Sequence, residues 1–309
     1  MTSVESFISY VMTVSVTYIF ASQGMTLAGN SGVFVIFNEG VMLAGASATF
    51  LVAHFTGSIV YGVVAGASIG LLFGLIMAFF SVTLRQDQFV IGIGLYILGA
   101  GFATLLYDVF IGVSFSPPQA PTLKPLDIPY LSSLPFVGQI LFNQNAFFYF
   151  AIFATILIWF FLSKTRYGLI VRSVGESPRV ADSLGISVVL TRYVMIAIGG
   201  ALIALAGSYV PLAFTGTYTT TLISGRGWIS ILIALFGRFR PLSVLLGALF
   251  FAGVETGALY SQVLGINAPT QVILMIPFIV ALFLMIQAYR TADLPKGLGK
   301  PYDRESLED

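Results

Sequence analysis

The sequence has no cysteine and a single histidine, His54, among its 309 residues. Thiol nucleophiles, disulfide scaffolds and cysteine-based metal sites are therefore excluded, and little is left for imidazole chemistry. Charge is also scarce. Asp, Glu, Lys and Arg make up 9% of the chain and the formal net charge is +1, whereas soluble domains carry roughly 25% charged residues. So few polar side chains cannot coat a water-facing globule of this length, and a nucleic-acid partner would need a basic excess that is missing. No G-x-x-x-x-G-K-[ST] loop, H-E-x-x-H or G-x-S-x-G occurs, so the chain has no phosphate cradle with which to hydrolyse nucleotide itself. Met1–Ser6 carries Glu5 but no Lys or Arg, unlike the basic start of a signal peptide.

What is abundant is apolar surface: 57% of residues are hydrophobic and the mean hydropathy is +0.96. The chain reads as an all-α, polytopic transmembrane bundle. About 20 apolar residues span a bilayer as helix, and that length picks out Phe7–Phe20, Val33–Phe55, Gly57–Val82, Phe89–Leu106, Phe147–Leu162, Tyr193–Ala213, Trp228–Phe236, Leu242–Tyr260 and Val272–Ala288. Trp228–Phe236 is too short to cross and is flanked by Gly225, Gly227 and Gly237, which points to a broken or re-entrant element of the kind transporters place at a midplane site. The polar stretch Gln23–Gly32 is expected to be irregular backbone at membrane depth.

Positive residues set the orientation. Arg85, Lys164, Arg166, Arg172, Arg179, Arg192, Arg238, Arg240, Arg290, Lys296, Lys300 and Arg304 fall on one side, twelve of the fourteen in the chain. That side is expected to be cytoplasmic and to hold the carboxyl terminus. The resulting layout is a transmembrane domain over residues 1–290, an extracytoplasmic Pro-rich loop at 113–146 with a short helix near Leu131–Phe142, a cytoplasmic loop at 163–192, and a polar, mobile tail at 291–309.

Several residues stand out. Gly62, Gly66, Gly70 and Gly74 recur every fourth position and read as a face for close helix packing. Asn38 and Glu39 open the second apolar stretch, and Glu255 lies within the eighth. A carboxylate at that depth costs about 3 kcal/mol, so each faces a cavity or ties helices together; both readings stand for Glu39, and the structural one leads for Glu255. Arg226 stands at the start of the short segment. Gln88, beside Gly92 and Gly94, is a candidate for lining a path. His54 reads as an interfacial residue without a chemical role. The cytoplasmic stretch Gly175–Ile186 reads as a two-turn helix capped by Ser177, started by Pro178 and stopped by Gly185. So short a helix needs something to lie against, either its own bundle or a cytoplasmic partner.

Three segments together resemble the membrane subunits of prokaryotic ABC importers, in the branch of ribose, branched-chain amino acid and nucleoside permeases. Ser31-Gly32-Val33-Phe34-Val35-Ile36-Phe37-Asn38-Glu39-Gly40-Val41-Met42-Leu43-Ala44-Gly45-Ala46 is similar to that family's S-G-V-x-N-I-x-x-E-G-x-M-L-x-G-A element, although Val35 stands where its asparagine would fall. Gly175–Ile186 resembles its coupling element G-x-[NS]-P-x-A-A-x-x-x-G-I, with Val180 in place of an alanine. Ser224–Pro241, continuing to Gly253-Val254-Glu255-Thr256-Gly257-Ala258, is similar to the nucleoside and simple-sugar permeases.

The resemblance implies a permease subunit of an ATP-driven importer in the prokaryotic cytoplasmic membrane. Its expected partners are a second permease subunit, identical or diverged, two cytoplasmic ATPases carrying ATP and Mg, an extracytoplasmic binding protein and the surrounding lipid. No cofactor is expected on the chain itself. The expected cargo is a nucleoside or related sugar-containing solute; branched-chain amino acids or another small polar solute, or ion-coupled transport, are the alternatives. Asn38, Glu39, Gln88, Tyr96 and Trp228 are the expected path residues. Glu176, Ser177, Pro178, Arg179, Ala181, Asp182 and Gly185 are the expected ATPase-coupling residues.

Overall fold

A computed structural model describes residues 3–112, 117–126, 137–263, 269–288 and 294–302. In chain order the helices are α1 (Ser3–Asn30), α2 (Asn38–Thr56), α3 (Ile59–Ala78), α4 (Gln88–Phe110), α5 (Val137–Leu141), α6 (Ala146–Lys164), α7 (Arg166–Glu176), α8 (Pro178–Ser183), α9 (Val188–Val210), α10 (Arg226–Phe236), α11 (Pro241–Val263) and α12 (Thr270–Ala288). Among the described residues, six stretches are long and apolar enough to cross a membrane, namely Val4–Asn30, Ile59–Thr83, Gln88–Phe110, Ala146–Lys164, Val188–Thr215 and Pro241–Gln262. Arg226–Phe236 and Val272–Ile286 are shorter apolar helices.

Local chemistry sets many of the helix ends. The side chains of Asp87, Asn145, Thr165 and Ser187 accept the N–H of Val90, Phe148, Gly168 and Leu190, starting α4, α6, α7 and α9. Gly57, in the left-handed conformation at φ 69°, ends α2. Pro211 supplies no N–H, and there α9 widens into a π-helical turn over Pro211–Thr215.

The helix α2 is the axis of the bundle. It is buried almost throughout from Asn38 to Ala53, and its polar residues explain why it falls outside the lipid-crossing set. The glycine stripe of α3 seats that helix between α2 and α9. A Cβ at Gly62 would stand 2.7 Å from the Thr49 carbonyl, and one at Gly74 would stand 2.6 Å from the Ile196 carbonyl, while Gly70 abuts the Gly200 carbonyl. The packing reading of this stripe is the one observed.

Two expectations are corrected. The first apolar segment does not give way to irregular backbone at Gln23: α1 stays helical to Asn30, because its polar side chains find partners on the α10–α11 turn. Gln23 donates to the Pro241 carbonyl at 2.9 Å and Asn30 to the Phe239 carbonyl at 2.8 Å. The irregular stretch is instead 31–37, so α2 begins at Asn38.

The tail is also not loose where it is described. Gly297 donates to the Gly175 carbonyl and Gly299 to the Gly32 carbonyl, and Arg192 and Gln88 reach the Lys300 carbonyl at 3.3 and 3.5 Å. Residues 294–302 thereby strap the basic end of the bundle. At the opposite end, α5 falls within the expected Leu131–Phe142 helix, whose first part lies outside the described residues. His54 Nδ1 lies 2.8 Å from the Gln119 carbonyl and its ring stacks on Phe50.

Candidate functional site

Three helices of different length, α1, α10 and α11, meet around one carboxylate. Tyr18, near the midpoint of α1, donates to Glu255, near the midpoint of α11, at 2.6 Å. Arg226, the first residue of α10, binds the same carboxylate through Nη2 at 2.6 Å and Nε at 3.1 Å. Its guanidinium also lies 5.9 Å from the Phe214 ring, which the π-helical turn brings beneath it. Glu255 therefore ties α1, α10 and α11 together.

The start of α10 is held from the other side by Glu39. A helix opening inside the bundle exposes N–H groups that its own carbonyls cannot satisfy. One Glu39 oxygen accepts the N–H of Gly225 and the other that of Gly227, each at 2.8 Å. Both oxygens act as acceptors, as in a carboxylate, and negative charge at that end complements the helix dipole. Gly227 is required for this contact: a Cβ there would lie 2.5 Å from the Glu39 backbone. Glu39 thus caps a half-membrane helix across the fold.

Asn38 donates to Ser230 of α10 at 2.9 Å, and its Oδ1 is buried without a hydrogen-bond partner. Tyr96 of α4 meets Trp228 edge-to-face with centroids 5.3 Å apart. Gly40 abuts the Tyr96 backbone, which closes the ring of α2, α4 and α10. Asn38, Glu39, Tyr96 and Trp228 thus form one cluster, in which Trp228 retains 36% exposure. Gln88 lies elsewhere. Its side chain is buried at the basic end, where it accepts the Phe34 N–H at 2.7 Å.

At the basic end, α8 carries the expected stop. Gly185 (φ 80°) donates to the Asp182 carbonyl and Ile186 to the Ala181 carbonyl, the paired bonds of a Schellman ending. Ala181 and Ile186 pack with Val174, Val188 and Tyr302. Pro178 occupies the first turn, but the Ser177 side chain makes no capping bond, contrary to expectation. The Lys296 ammonium sits 3.6 Å from Glu176, so the tail also grips the helix ahead of the loop. On the outer face of α8, one turn apart, Val180 and Leu184 are 59% and 74% exposed.

The family model described as "Branched-chain amino acid transport system / permease component" matches residues 7–285. The chain belongs to this family of ABC permeases.

The permease is a multi-pass, non-catalytic transport component. It is 32% identical to the nucleoside ABC transporter permease NupC of Lactococcus lactis, over 77% of this chain and 75% of that protein. It is also 32% identical to the guanosine permease NupQ of Bacillus subtilis, over 77% and 76%. TsgC13 of Haloferax volcanii, which carries a glucose-permease name, is 33% identical over 71% and 68%. A metal-chelate type ABC transporter solved in an inward-facing conformation shares the fold, with a TM-score of 0.52 at 16% identity, covering 91% of this chain and 85% of that one.

The permease residues that sequence reasoning missed as a site are the donors. Gly225 and Gly227 were legible as helix breakers, but nothing in the sequence pairs their N–H groups with Glu39. Tyr18 carried no signal within an apolar run.

Proposed function

We propose that this permease forms the translocation path for nucleosides, driven by ATPases that engage α8. The observation that supports the cargo is the Trp228–Tyr96 pair: an indole left partly open at the start of α10. A purine or pyrimidine offers a π-face to the indole, and stacking of a base on an aromatic ring is worth about 1–3 kcal/mol. The nucleoside and guanosine permeases among the relatives favour the same reading. The glucose-permease name of TsgC13 favours a sugar as the second reading; a sugar would use the polar cluster and gain less from the indole.

In this reading the basic end is cytoplasmic, and Glu176, Ser177, Pro178, Arg179, Ala181, Asp182 and Gly185 build the knob that enters an ATPase cleft, with Val180 and Leu184 as its apolar face. A second permease subunit completes the path, and an extracytoplasmic binding protein delivers cargo. Uptake of labelled nucleosides and glucose by cells carrying the full system tests this. Trp228→Ala is expected to lower nucleoside uptake about tenfold, the size of one lost stack, while the chain still reaches the membrane. Glucose uptake with no nucleoside uptake in the parent would overturn the nucleoside reading. Leu184→Glu is expected to abolish ATPase co-purification; full retention would remove α8 as the docking element.

A further inference from the structure

Three glycines from distant parts of the chain, Gly32, Gly175 and Gly297, meet at the basic end. Gly32 takes left-handed backbone (φ 84°), and a Cβ there would stand 3.2 Å from the Gly297 carbonyl and 3.3 Å from the Gly175 Cα. A Cβ at Gly175 would run into the Asn30 carbonyl, and one at Gly297 would lie 2.7 Å from the Gly175 carbonyl. The stretch 31–37, the end of α7 and the tail therefore touch backbone to backbone. Gly297 and Gly299 close the junction by donating to the Gly175 and Gly32 carbonyls. Bare backbones have no rotamers with which to give way, so a displacement of one segment is passed to the next.

Two buried side chains lock this junction. Arg192, wholly enclosed, donates through Nε to the Ser31 carbonyl at 3.2 Å and through Nη1 to the Lys300 carbonyl at 3.3 Å. Its Nη2 has no hydrogen-bond partner among the described residues. A guanidinium buried on backbone carbonyls costs more than an apolar side chain of the same size, so packing alone does not account for an arginine here. What it adds is a tie between the stretch before α2 and the tail. Gln88 adds another: Oε1 accepts the Phe34 N–H at 2.7 Å, and Nε2 donates to the same Lys300 carbonyl at 3.5 Å. One turn further along α4, a Cβ at Gly92 would stand 3.0 Å from that of Ile36, so a glycine lets α4 close on the same stretch. On one side the junction meets α8, where Pro178 adjoins Gly297 and Tyr302 packs with Ala181. On the other, 31–37 runs directly into Asn38 and Glu39, which hold Ser230 and the first N–H groups of α10. Building on the reading of α8 as the element that engages the ATPases, we propose that the junction relays movement of α8 to the start of α2. Through the Glu39 cap it then reaches α10, with Gln88 and Arg192 as positioning residues. A route along α9, which follows α8 in the chain, would bypass Gln88.

The test uses the complete transporter, the permease with its ATPases and binding protein, in proteoliposomes, with nucleoside uptake and ATP hydrolysis measured together. Gln88→Met keeps the size of the side chain and removes both of its ties. Uptake per ATP hydrolysed is expected to fall about fivefold, the worth of one net hydrogen bond, while the ATPases still co-purify. Gly297→Ala, which parts the backbones of the tail and α7, is expected to lower the same ratio. A merely structural role would reduce the yield of complex without moving the ratio, so an unchanged ratio in both variants would overturn the relay. A changed preference among nucleosides in Gln88→Met would overturn it too, because the residue would then be touching cargo. Hydrogen exchange of the peptide covering 31–37 gives a reading that needs no cargo. In the parent complex it is expected to change when ATP is added, and in Gln88→Met that response is expected to be lost. No response in the parent, or an equal one in the variant, would send the movement along another route and refute the proposal. Failure of the α8 reading is told apart by Leu184→Glu, which would then retain its ATPases.

Discussion

Replacing Glu39 by Gln tests whether the carboxylate works as a cap. The wild-type group accepts two N–H bonds at 2.8 Å from the first residues of α10. Glutamine keeps one acceptor oxygen, but its NH2 then faces the second backbone N–H, donor against donor. One charge-assisted bond is worth about 1.5–3 kcal/mol, and the lost charge at the helix start adds about 0.3–1 kcal/mol. Together these come to about 3 kcal/mol, a roughly hundredfold change in a local opening equilibrium. Hydrogen–deuterium exchange of a peptide covering Gly225–Trp228 is the direct assay, and exchange there is expected to accelerate by about that factor. Nucleoside uptake is expected to fall while the chain still assembles. Glu39→Asp separates geometry from charge. The Gly227 backbone already touches Glu39, so α2 cannot advance to bring a shorter carboxylate into reach, and Asp should fail as Gln does. Wild-type protection in Glu39→Gln would refute the capping argument, and full rescue by Asp would reduce it to charge alone.

Other consequences concern the packing. Arg226→Met or Glu255→Leu alone leaves a buried charge unpaired and is expected to destabilise by about 3–5 kcal/mol, whereas the double replacement should recover much of that loss in a thermal-inactivation cycle; strictly additive losses would show that the pair is not coupled. Gly70→Leu would drive a side chain into the Gly200 backbone, and a large fall in the melting temperature is expected, with little change at Gly94, where a Cβ meets open space; equal effects at both sites would contradict the packing of α3 on α9. Removing residues 294–309 takes away the strap across Gly175, Gly32 and Arg192, and protease cleavage within 177–187 is expected to become faster while the rest of the bundle stays resistant. Unchanged cleavage would show that α8 is held by the bundle alone.

The parts of this fold that the sequence made legible are those written in local chemistry. Long apolar runs marked the crossing helices. The four-residue glycine spacing marked the packed face of α3, and Pro178 and Gly185 marked both ends of α8. The sub-spanning length of Trp228–Phe236 announced a broken helix, and α10 starts within two residues of that reading. What escaped depends on partners distant in sequence. The stretch Gln23–Gly32 looked irregular because it is polar, yet Gln23 and Asn30 both serve carbonyls more than two hundred residues away. The tail looked loose because it is polar. Its glycines allow close backbone pairing: a Cβ at Gly297 would lie 2.7 Å from the Gly175 carbonyl. Gln88 was placed on the path because it adjoins glycines, and its actual neighbours come from 31–37 and the tail. The Glu39 reading fell between these cases. Depth in an apolar run showed that the carboxylate must be satisfied, but its partners are backbone N–H groups, which every residue except proline carries and which no side-chain pattern can reveal. A charge inside a membrane therefore announces an obligation in the sequence, and only the fold shows whether a helix end, a counter-ion or a solute meets it.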